Sequence, residues 1–171
     1  MSLIVEDGTG LTTAESYITT AEADTYHVNR GNTNWAAITL PQKEEACRRA
    51  MDYMFQVYHS RWVGYRKTQT QAQDWPRVAA PNDDVYIYAY SFYDSNSVPA
   101  IVKNAQAELA FKAAQGELAP DLGQKVIREK IDNIEVEYDS GSVEYVRFRA
   151  VDNILSSILS GGGAFRKVMR A

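Results

Sequence analysis

Flat aromatic rings interleaved with basic side chains are the constellation in this 171-residue chain whose types and spacing could do chemistry. Arg61-Trp62, Tyr65-Arg66-Lys67 and Trp75-Pro76-Arg77 lie in one stretch. Rings stack on bases and cations hold phosphates, the two contacts by which a protein grips a single nucleic-acid strand. Arg61, Trp62, Arg66, Lys67, Trp75 and Arg77 are therefore the candidate nucleic-acid contacts. The same residues have a structural use. Trp62, Tyr65 and Trp75 can anchor a long connection onto helices, with arginines stacked on them for packing and solubility. The acidic charge balance and the lack of a recognition-helix motif favour this second use.

Other chemistry is sparse. His27 and His59 are far apart, with no HExxH and no carboxylate at ligand spacing, and each reads as a helix-end or surface histidine. Cys47 falls on an apolar helical stripe among Met and Ala, where a thiol serves as a small core residue. Gly8-Thr9-Gly10 lacks the third glycine of a dinucleotide fingerprint, and Gly161-Gly162-Gly163 lacks the Gly-Lys-Ser/Thr close of a phosphate loop, so both read as turns. No catalytic, cofactor or metal residue is expected, and the chain is not expected to be an enzyme.

The elements that must position these residues belong to a globular protein. Hydrophobic residues make up 45% and charged residues 23% of the chain, and no apolar run approaches the roughly 20 residues of a membrane helix. One cysteine excludes an internal disulfide framework and a multi-cysteine zinc module, and suits a reducing cytosol. Glu6 and Asp7 near the start argue against a secretory signal, so the expected location is the cytoplasm. A net charge of −4 argues against a surface built all round to grip nucleic acid, although a local basic patch remains open. The expected organisation is one mainly helical domain over 1–163 and a flexible tail over 164–171.

Periodicity predicts the elements. Thr20 caps a short helix over 21–30, with Gly31 as its stop. Thr39 and Pro41 open a helix over 42–58 whose apolar stripe contains Cys47, Met51, Met54 and Tyr58, widened by Ala46, Ala50, Tyr53 and Val57. From His59 to Ser97 runs a long connection, within which Val85 to Tyr90 reads as a strand or a contact loop. Ser97 caps a helix running to Gln115 that is apolar nearly all round and so belongs in the middle of a bundle. The period then changes to two. Strands over 126–131 and 134–138 flank Asp132-Asn133, a hairpin expected at about 124–139. Counting outward opposes Ile131 to Ile134, Lys130 to Glu135, Arg128 to Glu137 and Ile127 to Tyr138, a charge ladder on one face and apolar residues on the other. Val151, Ile154, Leu155, Ile158 and Leu159 predict a last short helix before the glycine stop. The fold class is mainly α: a small helical bundle with a β-hairpin, a short C-terminal helix and a flexible tail.

Several segments carry a resemblance. Ile4-Val5-Glu6-Asp7-Gly8-Thr9-Gly10, Ala14-Glu15-Ser16-Tyr17, Ala21-Glu22-Ala23-Asp24, Arg30-Gly31-Asn32, Gln71 to Arg77, Val98-Pro99-Ala100 with Glu108-Leu109-Ala110, and the hairpin strands resemble the phage-encoded DnaT-like single-stranded DNA-binding proteins over nearly the whole chain. The order of helices, hairpin and final helix is also similar to that of head-to-tail connectors of tailed phages, which form rings on the portal. The tyrosine-rich stretch Tyr86 to Tyr93 departs from the family pattern.

The resemblance implies two functions. The leading expectation is a virion structural protein, a head-completion or neck adaptor assembling as a homo-oligomeric ring, with the portal protein and a tail or second neck protein as partners and no membrane. Its interface would use Arg128, Lys130, Ile134, Glu135 and Glu137 of the hairpin and Phe165, Arg166 and Met169 of the tail. In that reading the protein sits in the host cytoplasm before assembly and in the virion afterwards. The alternative is a single-stranded DNA-binding protein of phage replication, with single-stranded DNA as partner.

Overall fold

The structure, a computed structural model, describes residues 2–85, 91–120, 124–130, 135–143 and 146–160, the segments 124–130 and 135–143 by backbone alone. The first helix, α1, spans Thr20–Val28. Its cap is Thr19, one residue earlier than the pattern suggested. Glu22 lies three residues after Thr19, and the two exchange hydrogen bonds: the Thr19 hydroxyl accepts from the Glu22 amide at 3.0 Å, and the Glu22 carboxylate accepts from the Thr19 amide at 2.7 Å. Thr20 is followed at the same distance by Ala23, which cannot close such a box. A four-residue helix, α2 over Thr33–Ala36, was not foreseen, because one turn is too short to show a period. It seats Trp35 in the core, where the indole N–H donates to Asp24 at 2.6 Å.

The third helix, α3, spans Leu40–Tyr58 and buries the expected stripe, Ala46, Cys47, Ala50, Met51, Tyr53, Met54 and Tyr58. Val57 is the exception and stays 38% exposed. The fourth, α4, spans Ala100–Gln115 and ends at Gly116. Pro99 rather than Ser97 holds its cap position, since the Ser97 hydroxyl turns back to the Asp94 carbonyl at 3.4 Å. As its composition implied, α4 lies in the middle, packed against α1 and α3. Ala105, Ala110 and Ala113 are fully buried on it, and such small side chains let helices approach closely. Gln106 is buried there too, with its amide satisfied by the Tyr17 N–H at 2.8 Å, the Ser16 hydroxyl at 2.9 Å and the Cys47 carbonyl at 3.0 Å. A buried polar group is tolerated on that condition. Burial raises the Cys47 thiol to about 12, which keeps it protonated and inert, as its place on the stripe suggested.

Between α3 and α4 a 3₁₀ turn at His59–Arg61 leads into two short antiparallel strands, β1 at Tyr65–Arg66 and β2 at Arg77–Val78. Gly64 permits this approach. Its φ of +71° is left-handed, and a Cβ there would sit 2.6 Å from the Val78 carbonyl oxygen. The strand-or-loop question at Tyr86 to Tyr90 lies outside the described residues.

Strands β3, Gln124–Lys130, and β4, Glu135–Val143, form the hairpin. Lys130 stands opposite Glu135 and Arg128 opposite Glu137, the register read from the sequence. Beyond Arg128 the register shifts, so that Val126 rather than Ile127 faces Tyr138. Counting residues cannot see such an irregularity, because one extra residue moves every later pair. Ile131, Asp132, Asn133 and Ile134 lie outside the described residues, as do Phe165, Arg166, Met169 and the rest of the tail. The last helix, α5, spans Arg149–Leu155, packs against α4 and continues as a 3₁₀ turn at Ser156–Ile158, with Val151, Leu155 and Ile158 buried. Leu159 then bridges to Trp62.

Candidate nucleic-acid interface

Of the six sequence candidates, five hold the long connection in place. Trp75 is fully buried and Trp62 is 5% exposed; their rings meet edge to face at 6.0 Å, and Trp62 meets Tyr58 in the same way. Neither presents a face on which a base could stack. The Arg77 guanidinium is also spent inside, donating to the carbonyls of Val63 at 2.8 Å, Gly64 at 2.6 Å and Asp74 at 3.2 Å. Burial lowers its pKa. Arg66 donates to the Gln71 carbonyl, and the Lys67 ammonium binds the Gly8 carbonyl at 2.9 Å and the Asn96 side chain at 2.8 Å. These contacts follow the anchoring use of the aromatic and basic stretch.

Arg61 is different. Its backbone carbonyl is fixed by Ser160, whose hydroxyl donates to it at 2.8 Å, while its guanidinium lies 5.6 Å from the centre of the Tyr58 ring. The side chain lines a groove of about 880 Å³. One wall is the end of α3, with Tyr53 and Val57, which explains why Val57 is not covered. The other wall is built by residues 146–149 and the outer side of α5, with Arg147, Arg149, Asp152, Asn153 and Ser156; Leu118 to Pro120 close it at one side.

Tyr53 positions the basic wall. Its hydroxyl donates to the Val146 carbonyl at 3.4 Å, and its ring takes Phe148 edge-on at 5.3 Å. Phe148 is docked on α3, and its two neighbours Arg147 and Arg149 line the groove. Three arginines from two distant parts of the chain thus share one concavity. Among the described residues, neither Arg61 nor Arg149 makes an ion pair. A second hollow, about 370 Å³ between α1 and α4, is less suited to an anion, because Lys103 there is paired with Glu22 at 2.8 Å.

Arg147 and Arg149 were missed by sequence reasoning, though a signal exists. Val146-Arg147-Phe148-Arg149 repeats the basic and aromatic interleaving that drew attention to 61–77. Arg149 also opens α5, where the helix dipole favours an anion over a cation, so its charge does not serve its own helix. His27 and His59 do not join the groove. His59 closes α3 and pairs with the buried carboxylate of Asp74 at 2.6 Å, whereas His27, expected at a helix end or on the surface, is 2% exposed in the last turn of α1. Among the described residues no cluster of three metal-ligating side chains exists, and no helix is long and apolar enough to cross a membrane.

A mainly helical body carrying an arginine-lined groove is the class that fold and site define. Over residues 1–171 the chain matches the model of the family described as "Putative DnaT-like ssDNA binding protein", and it belongs to that family. No curated protein and no solved structure matches it. The match overturns the leading expectation of a head-to-tail connector: the family's description is one of single-stranded DNA binding, and no finding supports a portal, a tail protein or a ring as partner. The connector expectation rested on the order of helices and hairpin, and unrelated functions share such orders. Of the residues it leaned on, Ile134, Phe165, Arg166 and Met169 lie outside the described residues, and Arg128, Lys130, Glu135 and Glu137 are described by backbone register alone.

Proposed function

We propose that the protein binds single-stranded DNA in the groove between the end of α3 and α5, with Arg61, Arg147 and Arg149 on the phosphates and no catalytic step. The observation that carries this reading is the convergence of these arginines in one concavity of a protein whose net charge is −4. Cations gathered against an acidic background mark where a polyanion is received. The family's description supports the ligand class. Guanidinium groups suit phosphate because their fork of donors matches two oxygens at once.

Fluorescence anisotropy of an end-labelled mixed-sequence oligonucleotide at low salt tests the proposal. Arg61→Ala and Arg149→Ala should each weaken binding by about tenfold, the loss of roughly one charge-assisted contact. Arg49→Ala, which removes an exposed arginine outside the groove, should bind like the wild type. Equal affinity for all four folded proteins would overturn the assignment.

A further inference from the structure

Asp152 is an anion set into a wall otherwise suited to phosphate. The Tyr58 hydroxyl donates to its Oδ1 at 2.8 Å, and Tyr58 is fully buried, so the carboxylate is held by a donor that is itself fixed in the core. Neither Arg61 nor Arg149 reaches it within ion-pair distance, and among the described residues its Oδ2 makes no hydrogen bond. Asp152 nevertheless lines the groove.

A strand entering this groove meets two kinds of wall. Like charges repel, so its phosphates follow the arginines and leave a base edge turned toward Asp152. An ionised carboxylate only accepts hydrogen bonds. Cytosine presents an N4 amino donor where thymine presents the O4 carbonyl, and adenine and guanine carry amino groups as well. Thymine's one donor in a single strand, N3–H, lies between the O2 and O4 carbonyls, so a carboxylate brought to it faces two further acceptors, whereas the cytosine amino group projects past a single acceptor, N3.

We infer that Asp152 selects bases bearing an exocyclic amino group, so that the groove prefers cytosine strands to thymine strands; the inference rests on the groove being the DNA site. Satisfying Tyr58 alone would give Asp152 a structural use with no base preference, and the two uses separate experimentally. Asn in its place still accepts from Tyr58, carries no charge and can donate to a thymine carbonyl.

The test is competition anisotropy at pH 7.5 with oligo(dC), oligo(dT) of equal length, and an oligomer of N4,N4-dimethylcytosine, which keeps ring and backbone charge but has no amino donor. Wild type should bind oligo(dC) about fivefold or more tighter than oligo(dT), a modest share of what a good base contact discriminates. The dimethylated oligomer should bind no better than oligo(dT). Asp152→Asn should bring the ratio near one by strengthening oligo(dT). A wild-type ratio near one, or dimethylated strands bound as tightly as oligo(dC), overturns the inference whatever the variant's stability. Binding of neither oligomer, or binding of both that ignores Arg149→Ala, overturns the groove assignment instead.

Discussion

The carboxylate of Asp74, 1% exposed, accepts from the Trp62 indole at 3.1 Å and from the His59 ring at 2.6 Å, and its backbone carbonyl takes the Arg77 guanidinium. Burial pushes its pKa up while His59 opposes the shift, as expected of a buried acid provided with donors. Around it Trp62 and Trp75 are closed to solvent, and Trp35 is 1% exposed. No tryptophan can then report DNA by stacking. Saturating single-stranded DNA should leave the intrinsic emission maximum and intensity nearly unchanged, and iodide should quench poorly with and without DNA; strong quenching by DNA would place a tryptophan in the interface. Interleaved rings and cations are compatible with either a stacking platform or an anchor. What decides between them is a single buried acid and five main-chain carbonyls, partners that composition does not reveal, and so the six candidates included only one groove residue.

The junction of α1, α2 and α4 is held through His27, and its stability should depend on pH. The ring nitrogen Nε2 lies 3.1 Å from the Ala107 carbonyl, so in the neutral ring it carries the proton, and Nδ1 receives the Asn32 amide at 3.3 Å. Trp35 and Phe111 pack on the ring at 4.7 and 5.5 Å. Protonation would cost the Asn32 bond and place a charge among apolar rings; Arg30 opposes that charge, while Glu108, Asp24 and the Ala107 bond favour it. Burial is the largest influence, and it lowers the pKa below the ordinary 6.5. The unfolded chain therefore takes up this proton at a higher pH than the folded one. Stability from His27 is complete above about pH 6.5 and is lost as the pH falls toward the folded value, by at most about 1.4 kcal/mol per pH unit. Denaturant titrations between pH 7.5 and 5 should show that slope in the wild type and a weaker one in His27→Gln; equal slopes would move the pH sensitivity elsewhere. At this scale the sequence is legible where a pattern repeats. The long stripes of α3 and α4 and the first hairpin pairs follow from period, while α2, a shifted strand register and a histidine buried by a helix eighty residues away depend on contacts that no period encodes.

For the whole molecule, 22 acidic residues face 18 basic ones, so a polyanion meets a net repulsion that a local convergence of cations must offset. Binding confined to the groove should therefore involve few phosphates. Each neutralised phosphate of a single strand adds about −0.7 to the slope of log K against log salt, so contacts from Arg61, Arg147 and Arg149 predict a slope of about −2. Arg61→Ala should make the slope shallower by about 0.7, and Arg49→Ala should leave it unchanged. Such a shallow slope has a consequence for affinity. With few counterions released, tight binding cannot come from charge alone, and the base contact proposed for Asp152 would supply a larger share of the total. Titrations at several sodium chloride concentrations measure both quantities on the same samples. A slope of about −5 or steeper would mean that many more phosphates are held than the groove can supply, and the DNA would then have to run over a wider face of the molecule.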